Sequence, residues 1–103
     1  MPKISLIVRL TAVDGKQAEL EDAIRRVVGQ ADEEEGPEVY SAHAVDEEPG
    51  AFDFFGLYRD DEAKSAHGRG ERMREAMGAF AGLLAGRPEI TRMTPVAAKG
   101  LDL

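Results

Sequence analysis

The chain has 103 residues, 43% of them hydrophobic, which suits one compact domain and leaves no room for two. Its formal charge is −7, with acids gathered at Asp32-Glu33-Glu34-Glu35 and Asp46-Glu47-Glu48. That balance lacks the basic footprint nucleic acid requires, so no nucleic-acid partner is expected. The chain has no cysteine, which removes disulfides, thiolate metal sites and a cysteine nucleophile together. It has no long uncharged apolar run and no signal-like leader, so the expectation is no membrane span and a cytoplasmic location.

Residues 3–13, KISLIVRLTAV, alternate as a strand does: Ile4, Leu6, Val8, Leu10 and Ala12 share one face. The other face is mixed, with Ser5, Ile7, Arg9, Thr11 and Val13. Asp14-Gly15 breaks the strand, and Asp14 is positioned to cap a helix, with Gln17 as the residue reaching back. Leu20, Ile24, Val27, Val28 and Ala31 then recur at helical spacing, and the acidic run with Gly36 and Pro37 ends the helix.

Residues 38–46 read as a second strand, with Val39, Ser41, His43 and Val45 on one side and Tyr40, Ala42 and Ala44 on the other. Glu47-Glu48-Pro49-Gly50 supplies a turn. The third strand is 51–59, AFDFFGLYR, with Phe52, Phe54, Gly56 and Tyr58 facing one way and Phe55 and Leu57 the other. Both of its faces are apolar, as though both were covered. A second helical region opens at Asp60-Asp61-Glu62, reaches His67 and is interrupted at Gly68-Arg69-Gly70. It resumes over 71–85, with Met73, Ala76, Met77, Phe80, Leu83 and Leu84 on a core stripe and Gly86 and Pro88 as the stop. Residues 89–96 read as a last strand, and Pro95 places it at a sheet edge. The single domain is expected over 1–96, with 97–103 as a tail.

The order βαββαβ is the α+β ferredoxin-like split unit: a four-stranded antiparallel sheet with both helices on one face. The other face, carrying Ile7, Val13 and a third-strand aromatic, is too apolar to be left in water. A homodimer joined sheet to sheet covers it, giving a dimeric α+β barrel.

Gly36 with Tyr40, the aromatic third strand ending in Tyr58, and Glu62-Ala63 followed by His67 carry a resemblance to a known family. Over residues 3–96 the chain resembles the antibiotic biosynthesis monooxygenases, whose members oxidise polycyclic phenols or quinols with molecular oxygen. The resemblance implies no metal, flavin or haem cofactor, and a small aromatic or quinol-like ligand. Such a protein binds the phenol, removes its proton, stabilises the anion and excludes water.

Carried onto this chain, that chemistry makes His67 the general base, with Arg9 and Tyr58 as the groups that meet the developing oxyanion. Tyr40, His43, Phe54 and Gly56 are the candidate substrate-binding positions. Gly56 stands where the family usually has a glutamate, which enlarges the pocket or removes activity. Each has a plainer reading. His67 packs a helix end, His43 is a half-exposed strand residue, the tyrosines pack strand ends, and Arg9 pairs with a carboxylate. Gly68-Arg69-Gly70 follows helix rather than strand and lacks a third glycine, so it is no phosphate loop. The alternative to an oxygenase is a non-catalytic dimer that holds an aromatic or lipophilic metabolite in the same pocket.

Overall fold

A computed structural model describes residues 3–31, 37–62 and 71–101. Its elements run β1 (Ile4–Thr11), α1 (Gln17–Ala31), β2 (Pro37–Ala44), β3 (Ala51–Tyr58), α2 (Glu71–Phe80) and β4 (Glu89–Met93). The strands form one antiparallel sheet in the order β2-β3-β1-β4, so the two central strands are the most apolar ones. This is the expected ferredoxin-like α+β arrangement. No helix among the described residues is long and apolar enough to cross a membrane.

The strand alternation read from the sequence decides what faces the helices. Leu10 and Ala12 from the first strand region and Phe52 and Phe54 from β3 meet Leu20, Ala23 and Ile24 of α1 and Ala76 and Phe80 of α2. Leu20 and Ala23 are completely buried, as a helix stripe packed on a sheet requires. Val8, Tyr40, Ala42, Met73 and Leu83 close the margins of this core.

Several boundaries differ from the sequence reading: β1 ends at Thr11 and β2 at Ala44, two residues short of the expected 13 and 46, and three further differences have a local cause. The first helix begins later than Asp14 suggests. A turn donates the Lys16 amide to the Val13 carbonyl with Gly15 at φ 84°, and the Lys16 carbonyl then accepts the Leu20 amide as the helix opens. Asp14 therefore sits in the turn, ahead of the capping position. The second helix stops at Phe80 instead of continuing to Ala85. Gly82 adopts the left-handed conformation at φ 79°, which a glycine reaches without steric cost. The chain then runs back along β1, with the Val13 amide donating to the Leu83 carbonyl and the Ala85 amide to the Thr11 carbonyl. Leu83 and Leu84 reach the core from this return, not from a helix stripe. The last strand ends at Met93, two residues before Pro95, and β4 does lie at the sheet edge.

The β2–β3 connection is the expected turn. The Glu48 amide donates to Val45, the Ala51 amide to Glu48, and Gly50 takes φ 90°. Within β3, the Tyr58 ring folds back along its own strand over Gly56 and is almost wholly buried. A Cβ at position 56 would lie 2.8 Å from Tyr58 Cε2 and 2.9 Å from its hydroxyl oxygen. The volume that a larger residue at 56 would use is thus filled by an aromatic ring.

This contact makes position 56 a test of packing. Replacing a strand glycine by alanine ordinarily gains roughly 0.5–1 kcal/mol through the unfolded chain. Overpacking against a buried ring costs about 1–3 kcal/mol and wins. Gly56→Ala is expected to lower the urea midpoint, and to lose most of that penalty in a Tyr58→Ala background. Equal penalties in both backgrounds would show that the ring does not set the requirement.

Candidate functional site

The two faces of the sheet carry different chemistry. On the helix side a cavity of about 140 Å³ opens between the sheet and α2. Its floor is Val8 and Leu10 of β1, Tyr40 of β2 and Phe54 of β3; α2 roofs it with Met73, Ala76, Met77 and Phe80. Pro88 and Ile90 bound it at the β4 side. The three aromatic rings stand as an edge-on chain. Tyr40 and Phe54 have centroids 5.7 Å apart at an interplanar angle of 55°, and Phe54 and Phe80 are 6.3 Å apart at 76°. Among the described wall residues none is charged, and the Tyr40 hydroxyl is the one side-chain oxygen. Such a wall offers apolar contact and little polar recognition.

The opposite face is dominated by a charged row near the β2–β3 turn. Register places His43 beside Asp53, Asp53 beside Arg9 and Arg9 beside Glu89. Arg9 grips Asp53 with both arms of its fork, Nε donating to Oδ1 at 2.8 Å and Nη2 to Oδ2 at 3.0 Å. Its Nη1 donates to Glu48 Oε2 at 3.3 Å. The hydrogen bond from Arg9 holds the Asp53 carboxyl below the ordinary aspartate range against the opposing effect of burial, with the Arg9 and His43 charges helping. The Asp53 hydrogen bond and charge likewise raise Arg9, which stays a cation at every relevant pH. Next along β2, Ser41 Oγ and His43 Nε2 share a hydrogen bond of 2.9 Å.

The structure therefore divides the residues proposed from the sequence. Tyr40 and Phe54 line the cavity. Gly56 and Tyr58 share their sheet face but sit toward its other end, Gly56 paired with Tyr40 and Leu6 and Tyr58 with Ile4 and Pro37; neither lines the cavity. Gly56 does not enlarge the cavity, because Tyr58 occupies the space above it. Arg9 and His43 lie on the other face, where Arg9 has the plainer role of a carboxylate partner. Strand parity separates them from the residues of the α2 cavity: 9 and 43 alternate with 8, 10, 40 and 42, which pack toward the helices, and His43 instead borders a groove between α1 and β2. His67 lies outside the described residues; in sequence it stands four residues before α2.

Sequence reasoning passed over Met73, Met77, Phe80, Pro88 and Ile90 as wall residues. Met73, Met77 and Phe80 have the periodicity of core, and nothing in that spacing distinguishes a filled core from one with a gap. The available signal was compositional: two methionines four apart with Ala76 between them make an adaptable, under-filled stripe. A larger groove of about 500 Å³ runs between α1 and β2, past Glu21, Arg25, Val28, Ala42 and Ala44. Charged side chains stand on its rim, whereas the smaller cavity is lined by apolar residues and Tyr40.

A family model described as antibiotic biosynthesis monooxygenase matches residues 3–79. No curated protein matches the chain. Among solved structures, a protein of unknown function from Nitrosomonas europaea is 30% identical, with a TM-score of 0.87, covering 99% of this chain and 97% of its own. A Pseudomonas aeruginosa protein is 25% identical, with a TM-score of 0.84 over 94% of this chain and 97% of its own. A candidate antibiotic biosynthesis monooxygenase from Caulobacter crescentus is also 25% identical, with a TM-score of 0.86 over 93% and 92% of the two chains.

The Asp53 pairing yields a signed pH dependence. A carboxyl whose folded value is depressed stabilises the fold fully above its unfolded value, near 4, and loses that contribution as pH falls through the folded value. The melting-temperature gap between the parent and Asp53→Asn should stay constant from neutral pH to about 4 and close below it. The gap should be small, because Arg9 and Asp53 are each about a third exposed. A gap that widens with acid would contradict the pairing.

Proposed function

Because the chain belongs to the antibiotic biosynthesis monooxygenase family, we propose that it oxidises an aromatic phenol or quinol with molecular oxygen. The observation that supports this most is the apolar cavity lined by Tyr40, Phe54 and Phe80, which suits an aromatic ring packed against them. In this reading His67 is the base that removes the phenolic proton. It stands in sequence just ahead of the helix that supplies Met73, Ala76, Met77 and Phe80 to the cavity. The electron-rich phenolate is itself the reductant of oxygen, so the chain needs no cofactor for the electron supply. One oxygen atom bonds to a ring carbon and the other leaves as water, the four electrons coming from the substrate. Tyr40 is the proposed hydrogen-bond partner of the substrate oxygen, because it is the one described wall residue with a side-chain hydroxyl. Arg9 has no part in this step, being tied to Asp53 across the sheet.

A second reading, a non-catalytic protein that holds an aromatic metabolite, is favoured by one feature: no described wall residue carries a charge to stabilise a phenolate. In both readings the molecule works as a homodimer. The open sheet face presents Val39, Ile7, Phe55 and Met93, all partly exposed, beside the Arg9–Asp53 pair, whose two charges offset each other. A second copy of the same face covers them. Val13, expected on that face, lies beyond the end of β1 and is not part of it.

Oxygen uptake in the presence of a panel of hydroquinones and naphthols separates the two readings. General-base catalysis is typically worth about a hundred- to ten-thousand-fold, so His67→Ala should lose roughly that much turnover with its circular dichroism unchanged. Binding without oxygen uptake in the parent protein would leave the binding-protein reading alone. Sedimentation velocity at micromolar concentration is expected to show a dimer, and a stable monomer would remove the sheet-to-sheet assembly.

A further inference from the structure

The cavity's size and the chemistry of its mouth restrict the ligand further. An apolar cavity of roughly 150 Å³ holds a single benzene ring, whereas sites for larger ligands run to about 300 Å³ and more. The described walls enclose about 140 Å³, room for one ring, and a fused polycyclic system would extend beyond them. A larger ligand must leave through the mouth, and the mouth is apolar. Met77 is 43% exposed and Ile90 is 67% exposed, the latter an unusual state for a large aliphatic side chain. Both also line the cavity, so among the described residues apolar surface continues from its interior to solvent. Ile90 pairs directly with Val8 of the cavity floor, which makes the exposed surface an extension of that floor. The nearest charged side chain on the same face of β4, Arg92, is tied to Asp61 at 2.8 Å instead of capping the opening.

We propose that the cavity takes a single-ring phenol or quinol bearing an apolar chain, with the ring against Phe54 and Phe80 and the chain leaving over Met77 and Ile90. This rests on the cavity being the ligand site. The apolar mouth is then part of the recognition surface: it removes from water the chain that the cavity cannot hold, and it selects against polar substituents at that position.

The test is calorimetric titration of the full chain with phenol and a series of 4-alkylphenols from methyl to octyl. Affinity is expected to rise by up to about fourfold for each methylene buried, then to level off once the chain passes the mouth. Ile90→Ser and Met77→Ser should flatten that rise. Ile90 is mostly solvent-exposed, so its replacement should leave the melting temperature near the parent value. If phenol binds and the chain adds nothing, this inference falls while the ring site stands. Tighter binding of a three-ring phenol than of any alkylphenol also overturns it. If no member of the series binds, both this inference and the ring site fall. Alkylphenols that bind with the expected rise but support no oxygen uptake uphold this inference and remove the oxygenase reading.

Discussion

Phe54 sits where most of the structure's constraints meet. It lies on a central strand, paired with Val8 on one side and Ala42 on the other, and its ring spans from Tyr40 to Phe80. The same ring is therefore both core and cavity wall. Truncating it would open the cavity into the helix–sheet interface, so ligand space and fold stability cannot be adjusted separately at this point. The residues with freedom to change are those at the margin, Met77 and Ile90, which contact the cavity while remaining exposed.

The parity of β3 produces the rest. Phe52, Phe54 and Tyr58 point under the helices, so Asp53 and Phe55 must point the other way. Asp53 then meets Arg9 on the neighbouring strand, and the bidentate pair neutralises a charge that would otherwise resist covering that face. An arginine in the middle of a strand looks like a catalytic cation when only the sequence is known. Placed beside an aspartate in register, it becomes a fixed carboxylate partner on the face turned away from the helices. The Tyr58 ring over Gly56 works in the same local way, filling with an aromatic side chain the space that the missing side chain leaves.

Much of the fold was legible because it depends on short-range rules. Period-two alternation over KISLIVRL and AFDFFGLY identified the central strands and their faces, and Pro95 marked the edge strand. Boundaries were harder, since a glycine ends a helix only if its conformation is left-handed. Gly82 does so at φ 79°, while Gly78, four residues earlier, stays within α2. Of the candidate site, Tyr40 and Phe54 were legible as aromatics on alternating strands, but their union with Met73, Met77 and Ile90 was not.

The sequence alone determined the order of elements, the face each strand residue takes and the family to which the chain belongs, because those follow from periodicity and local residue chemistry. Only the tertiary structure decided which residues share a site. Strand pairing put His43, Asp53 and Arg9 in one row on the open face, and the packing of α2 across the sheet left a cavity of about 140 Å³ beside Phe54. Register and packing depend on contacts between residues tens of positions apart, for which no local pattern in the chain holds a record.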